Sequence, residues 1–281
     1  MEQASVELRD RLTAHLQQVV RERDPEHAPA GHSYVRAYLC KELSRHGKLR
    51  LHEFDHNERK HQNLVVDLPG TRNDRLIIVG AHYDAVPGSP GADDNGTALA
   101  VLLELARAFS EAPGQSSIRL LAFDLEENDR AGSRAYARDV LQRGDPVALM
   151  IALEMLGYRD LTPGSQRYPA GLSYLYPNQG DFIGLIGNLR TASTMRRLAC
   201  TIRNFVPCEL LPVPFKGRML PDVRRSDHSS FWDLGYPAIM VTDTANMRNP
   251  HYHRASDCIE TLDIDFLAGV CHGLTAGIRT L

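Results

Sequence analysis

Two hydrophobic rhythms alternate along this chain. Short, nearly continuous apolar runs recur, and between them apolar residues return at helical spacing. The first rhythm marks buried strands and the second marks amphipathic helices. Val6, Leu8, Leu12, Leu16, Val19 and Val20 predict a helix over 5–23. Val35, Tyr38, Leu39 and Leu43 predict a second over 32–45, with Gly47 as its stop. Strands are predicted at 49–54, 62–68 and 76–79, followed by a helix over 96–109. A strand at 118–123, a short helix at 133–141 and a fully apolar run at 147–153 come next; the last has the character of a central strand. Beyond these lie a strand at 182–186, a helix at 194–205, a strand at 237–242 and a closing amphipathic helix at 264–278. The stretch 210–225 contains Pro212, Pro214, Gly217 and Pro221 and reads as an irregular loop. No repeat or linker-like break interrupts the alternation. The expectation is one α/β domain over residues 1–281: a three-layer α/β/α arrangement with a central, mostly parallel (mixed) sheet, and N-terminal helices of about 5–46 packed on it.

Composition narrows the reading. A hydrophobic content of 43% supports a real core, and a net charge of −3 gives no reason to expect nucleic acid or anionic membrane as a partner. No apolar run approaches the ~18 residues of a membrane span. The first ten residues are charged and lack a signal-type apolar region, so the cytoplasm is the expected location. The five cysteines are scattered and odd in number, the pattern of free thiols.

Chemistry gathers where predicted strands end. The strand at 76–79 runs into Gly80-Ala81-His82-Tyr83-Asp84, and Gly91-Ala92-Asp93-Asp94-Asn95-Gly96 opens the next helix. In α/β proteins, sites collect at the carboxyl ends of strands. His82 offers an imidazole that Asp84 can orient, and Asp94 offers a hard oxygen ligand. The strand at 118–123 delivers Glu126 and Glu127. Adjacent residues on an extended chain point opposite ways, so one can bind metal while the other faces water. The next strands deliver Glu154 and, after a loop, Pro250-His251-Tyr252-His253, with Asp257 beyond. A His and a carboxylate on each side of one shared carboxylate suit a pair of zinc ions. Cobalt or manganese would also satisfy this donor set.

Six motifs in order carry a family resemblance. They are His82-Tyr83-Asp84, Asp93-Asp94-Asn95-Gly96, Phe123-Asp124-Leu125-Glu126-Glu127 with Gly132-Ser133, Leu153-Glu154-Met155-Leu156-Gly157, Ser226-Asp227-His228-Ser229-Ser230-Phe231 and Asn249-Pro250-His251-Tyr252-His253. Together they resemble the aminopeptidase Y type of co-catalytic dizinc exopeptidases, over roughly residues 62–263. The resemblance implies a zinc-exopeptidase fold and a dizinc enzyme that removes the N-terminal residue from peptides with a free N-terminus. It makes Asp94 the bridging ligand, with His82 and Glu154 on one metal and Glu127 and His253 on the other. Glu126 would be the general base acting on a metal-bridged hydroxide, and Asp84 would hold His82. Tyr252 would stabilise the oxyanion, and Arg225 resembles a position near the substrate carbonyl. A cis peptide after Asp94 is implied as well.

The chain departs from that pattern in three places. The third ligand is more often Asp, whereas Glu154 is one methylene longer. Asp129 and Arg130 replace a usual Gly and Leu, and Ala98 replaces a usual Gly. His228 and His251 are expected to play no direct part, Asp93 to be a loop carboxylate, and Asp227 and Asp257 to support the site without ligating. The pocket for the substrate side chain is expected to draw on Met155, Met219 and Leu220. Lys216, Arg218, Arg224 and Arg225 make the long loop basic, as a solvated face or as a lid favouring acidic or long substrates. The rival reading is a glutaminyl cyclase–like aminoacyltransferase with one zinc. That group typically carries Trp where Tyr252 stands, which favours hydrolysis. A two-domain carboxypeptidase would need an inserted lid domain for which there is no room. A binding module that had lost its metals would not retain every ligand position.

Overall fold

The computed structural model describes residues 2–169 and 171–281. Helices α1 (Glu2–Val19) and α2 (Pro29–Ser44) precede strands β1 (Leu49–His56), β2 (Arg59–Leu68) and β3 (Arg72–His82). Next come α3 (Ala98–Glu111), β4 (Ser116–Phe123), α4 (Ala131–Arg143) and β5 (Val147–Glu154). The second half holds β6 (Ile183–Asn188), α5 (Ala192–Ile202), β7 (Cys208–Val213), α6 (His228–Asp233), β8 (Ala238–Thr242) and α7 (Ile264–Arg279). The strands form one mixed sheet in the order β1-β2-β4-β3-β5-β8-β6-β7. The central four, β4-β3-β5-β8, are mutually parallel. β6 runs antiparallel to β8, and β7 parallel to β6.

The expected loop over 210–225 is corrected at its start, because β7 extends through Pro212 to Val213. A proline breaks the strand pattern in sequence, but an edge strand leaves one side of its backbone unpaired and tolerates the missing N–H. Helix α6 also went unforeseen, being too short for its period to show.

Both faces of the sheet are covered, which is why its central strands are apolar throughout. Ile77 and Val79 join one core with Leu64, Leu120, Ile151 and Val241, beneath α1, α2, α3, α5 and α7. Leu76 and Ile78 point the other way and meet Leu121, Phe123, Met150 and Ala152, together with Tyr136 of α4 and Trp232 of α6. The N-terminal helices are integral to the first core: Leu12, Leu16, Leu39 and Leu43 are fully buried there. All five cysteines are free. No helix among the described residues is long and apolar enough to cross a membrane.

Leu12→Ala should therefore cost about 2–5 kcal/mol of stability in a urea or guanidinium titration. A loss under about 0.5 kcal/mol, the scale of a surface substitution, would mean that α1 is only appended to the domain.

Candidate active site

The carboxyl ends of the four central parallel strands converge. His82 ends β3, and Glu154 ends β5. Glu126 and Glu127 follow β4 after a turn in which Leu125 takes a positive φ of 57°. His253 lies on the loop after β8, and Asp94 sits in a π-turn, Ala92–Thr97, that leads into α3. The Asp94–Asn95 peptide is cis, as the resemblance implies. Asp94 stands between two imidazoles: its Oδ1 lies 3.3 Å from His82 Nε2 and its Oδ2 lies 3.1 Å from His253 Nε2. Glu154 Oε1 approaches His82 Nε2 at 3.6 Å, and Glu127 Oε2 approaches His253 Nε2 at 3.3 Å. All five residues expected as ligands are thus brought together, in two groups that share Asp94.

Several buried groups hold these side chains in place. Asp84 accepts from the backbone N–H of Glu126 at 3.0 Å and of Glu127 at 3.1 Å, one with each carboxylate oxygen. Asp257 does the same for Asp93 and Asp94, at 2.9 and 3.1 Å. The hydrogen-bond partner of His82 Nδ1 is the Asp84 carbonyl oxygen at 3.2 Å, with the Asp84 carboxylate at 3.4 Å. Asp84 therefore fixes the glutamate pair as well as the imidazole. Asn95 bridges to β5, donating to the Leu153 carbonyl and accepting from the Met155 N–H. Ser226 donates to Glu154 Oε2 at 2.6 Å, which positions the longer side chain that replaces the usual Asp.

Sequence reasoning missed Arg23 entirely. It is completely buried beyond the end of α1, and its guanidinium donates to the carbonyl oxygens of Tyr83, Pro90, Gly91 and Asp94. Nothing in its charged, loop-like surroundings marks it in sequence.

The donor set fits a metal. His82 Nε2 and Asp94 Oδ1 are buried with no hydrogen-bond partner, although they lie close to each other. Buried polar atoms are nearly always paired. These two point at a common space and do not bond each other, the arrangement of ligands around an ion. Ligand atoms of His82, Asp94 and Glu127 lie within 4.8 Å of one another. Imidazole nitrogen and carboxylate oxygen are ordinary zinc donors.

Charge is concentrated here. Burial pushes the Glu126 carboxyl well above its ordinary range; His82 opposes this, while Glu154, Glu127 and Asp227 add to it. Burial and the charge of Asp94 push Glu127 up to about 7. Burial works against a charged His253, but Asp94 and Glu127 outweigh it and raise the imidazole to about 10. Burial would raise Asp94, but the two imidazoles bring it below the usual carboxylate range.

The surrounding residues sort themselves by contact. Tyr252 stacks on His253 with ring centroids 3.8 Å apart, and its hydroxyl accepts from Arg225 at 3.0 Å. His228 is buried against Trp232 and bonded to the Val223 carbonyl, and burial lowers it to about 3. His251 bonds Ser256. Asp93 is fully buried, a backbone brace that accepts from Gly157 N–H and the Asn249 amide. Asp129 adopts φ 60°, the left-handed conformation that suits the glycine usual at this place. The expected pocket residues are displaced: Met155 is buried, Met219 is 72% exposed, and Leu220 packs against the second core. The pocket beside Glu154 is lined instead by Tyr168, Tyr176, Ile186, Leu211, Met240 and Arg225, among others. Of the basic loop residues, Arg224 pairs with Asp233, and Lys216 bonds the Asp233 carbonyl.

Comparison with known proteins agrees with this geometry. The model of Peptidase family M28 matches residues 63–274. The uncharacterized protein YfbL of Escherichia coli (strain K12) is 38% identical over 76% of this chain and 69% of its own length. A probable leucine aminopeptidase of Trichophyton verrucosum (strain HKI 0517) is 28% identical over 73% of this chain and 53% of its own length, so this chain spans about half of that relative. Among solved structures, the LapA aminopeptidase of Legionella pneumophila has a TM-score of 0.74 at 18% identity, covering 98% of this chain and 73% of that one. The zinc aminopeptidase BSAP of Bacillus subtilis has a TM-score of 0.59 at 24% identity, covering 79% and 50%. A glutaminyl cyclase of Tannerella forsythia has a TM-score of 0.70 at 20% identity, covering 97% and 98%. These structures share the fold.

Two outcomes are expected. Asp94 and Glu127 raise His253 to about 10, so a metal that binds its imidazole would have to displace a proton near neutral pH. Zinc titration of chelator-stripped protein should therefore release protons, with apparent affinity rising between about pH 6 and pH 8. Calorimetry in buffers of different ionisation heat measures this, and a pH-independent affinity would contradict it. Asp257→Asn removes one of two acceptors beneath Asp94 and should weaken zinc binding about 10–100-fold. Unchanged zinc affinity would remove Asp257 from the support of the site.

Proposed function

Since the chain belongs to peptidase family M28, we propose that it is a metal-dependent aminopeptidase that hydrolyses the N-terminal residue from a peptide. The observation that carries this reading is Asp94 between His82 and His253, with each imidazole also facing its own glutamate. His82, Asp94 and Glu154 would hold one zinc ion, and Asp94, Glu127 and His253 a second. Zinc supplies Lewis acidity towards water and a carbonyl oxygen.

The chain's own residues account for the proton transfers. Burial raises the Glu126 carboxyl, which makes its carboxylate a stronger base towards the attacking water, from which it would take a proton. It then delivers that proton to the leaving amine, so its carboxyl ends the cycle as it began. Tyr252 uses its hydroxyl oxygen to accept from Arg225, which leaves its own proton free for the developing oxyanion. A positively charged α-amine suits the surplus of carboxylates at Glu126, Glu127 and Glu154. Asp84 keeps Glu126 and Glu127 apart in role by holding both of their backbone N–H groups.

The test is metal content measured beside hydrolysis of aminoacyl-p-nitroanilides. Two zinc ions per chain, with activity lost to a chelator and restored by zinc, is the expected result. Glu126→Ala should leave the zinc bound and lower kcat by about 10²–10⁴-fold. No release from any aminoacyl substrate, together with one zinc and cyclisation of an N-terminal glutamine peptide, would replace this reading with the cyclase.

A further inference from the structure

The cleft beside Glu154 continues as an apolar slot across β8, β6 and β7. Its floor is a cross-strand row: Glu154 pairs with Thr242, Thr242 with Gly184, and Gly184 with Glu209. Paired residues on neighbouring strands put their side chains on the same face. The next row on that face is apolar throughout, running Ala152, Met240, Ile186 and Leu211. Gly184 leaves the floor without a side chain, and the nearest atoms a Cβ there would meet belong to Thr242 and Thr244, at 3.4 Å or more. With strands ~4.8 Å apart, Glu209 stands about 14 Å along the sheet from Glu154. The slot therefore begins at a glutamate of the metal cluster and ends at another carboxylate.

Glu209 has little to neutralise it. Its side chain is 33% exposed, and the cation nearest to it, Arg203, is 4.0 Å away and itself 51% exposed. Arg203 donates through Nε to the Cys208 carbonyl, and its Nη2 faces Glu209 only at the limit of an ion pair. Three other cations around the slot have partners of their own: Arg167 bonds the Asn246 carbonyl, Arg225 bonds Tyr252, and Arg248 lies over Phe182 and bonds Gln166 and the Tyr158 carbonyl. Tyr168 and Tyr176 stack on each other in the slot wall, with centroids 5.8 Å apart. Burial raises both phenols; the Glu209 charge adds to it at Tyr176, while at Tyr168 Arg248 opposes the rise and Glu209 adds to it, consistent with a carboxylate near both rings.

We infer that this slot receives the substrate's N-terminal side chain and that Glu209 selects a long cationic one, lysine or arginine. The inference rests on the aminopeptidase reading. Such a side chain lays its aliphatic stem along Met240, Ile186 and Leu211 and brings its cation to Glu209 among aromatic faces. An apolar side chain of the same length fills the slot but leaves the carboxylate desolvated and unpaired.

The experiment compares L-lysinamide with L-norleucinamide, which has the same carbon chain without the cation. Binding of each to the zinc-loaded protein is measured by calorimetry, for wild type and Glu209→Gln. Lysinamide should bind about 10–100-fold tighter to wild type, and the variant should bring the two within about threefold. The ratio of kcat/KM for lysyl- over norleucyl-p-nitroanilide should fall in parallel. Equal binding of the two amides to wild type, or a lysine advantage that survives Glu209→Gln, overturns the inference. A lysine advantage in binding that disappears in the variant supports the slot assignment even if no substrate is turned over; only the aminopeptidase reading would then fail.

Discussion

Asp94 offers one carboxylate oxygen to His82 and the other to His253, from a backbone gripped on three sides. Asp257 holds the N–H groups of Asp93 and Asp94. Arg23 holds the carbonyls of Gly91 and Asp94, and the Asn95 amide ties the turn to β5. A ligand shared between two halves of a site tolerates little displacement, because moving towards one imidazole means leaving the other. The grips come from beyond the end of α1, from the loop after β8 and from β5, so the site depends on several distant parts of the domain at once.

The same arrangement concentrates charge. Burial raises the carboxyls of Glu126, Glu127, Asp227 and Asp257, and the neighbouring carboxylates reinforce it. Arg23 is the buried cation that faces this cluster from below, with Asp94, Asp257, Asp84 and Glu127 all opposing the loss of its charge on burial. Isolated buried charges are costly, whereas charges paired and hydrogen-bonded can be tolerated. Ligands, base and braces therefore form one electrostatic unit, and a change at one member is felt by the others.

The sheet divides the work. Its parallel centre, β4-β3-β5-β8, places the candidate metal ligands, as carboxyl strand ends do in α/β proteins. Its antiparallel extension through β6 and β7 builds the slot. The fold is shared with aminopeptidases and with a glutaminyl cyclase, so the central scaffold does not by itself choose the reaction. The side chains after the strands are what can differ between such enzymes, and the β6–β7 edge is where the inferred substrate slot lies.

Local periodicity was enough to read the longer helices, though not the short α6, and the central strands and the order of the layers, because burial of one face leaves its spacing in the chain. The candidate ligands were legible too, since each lies in a short motif at a strand end. The edge strand through Pro212 was not, because its tolerance of proline follows from a neighbour it lacks. Arg23 and Asp257 reach the Asp94 turn from 71 and 163 residues away. Met155, Met219 and Leu220 do not line the pocket beside Glu154; its walls come largely from β6, β7 and β8, whose pairing and register are invisible in one sequence. The sequence by itself determined which elements form and which residues can bind metal. Tertiary structure decided which backbone each buried charge holds and what the substrate meets, because those pairings join segments with no local signature in common.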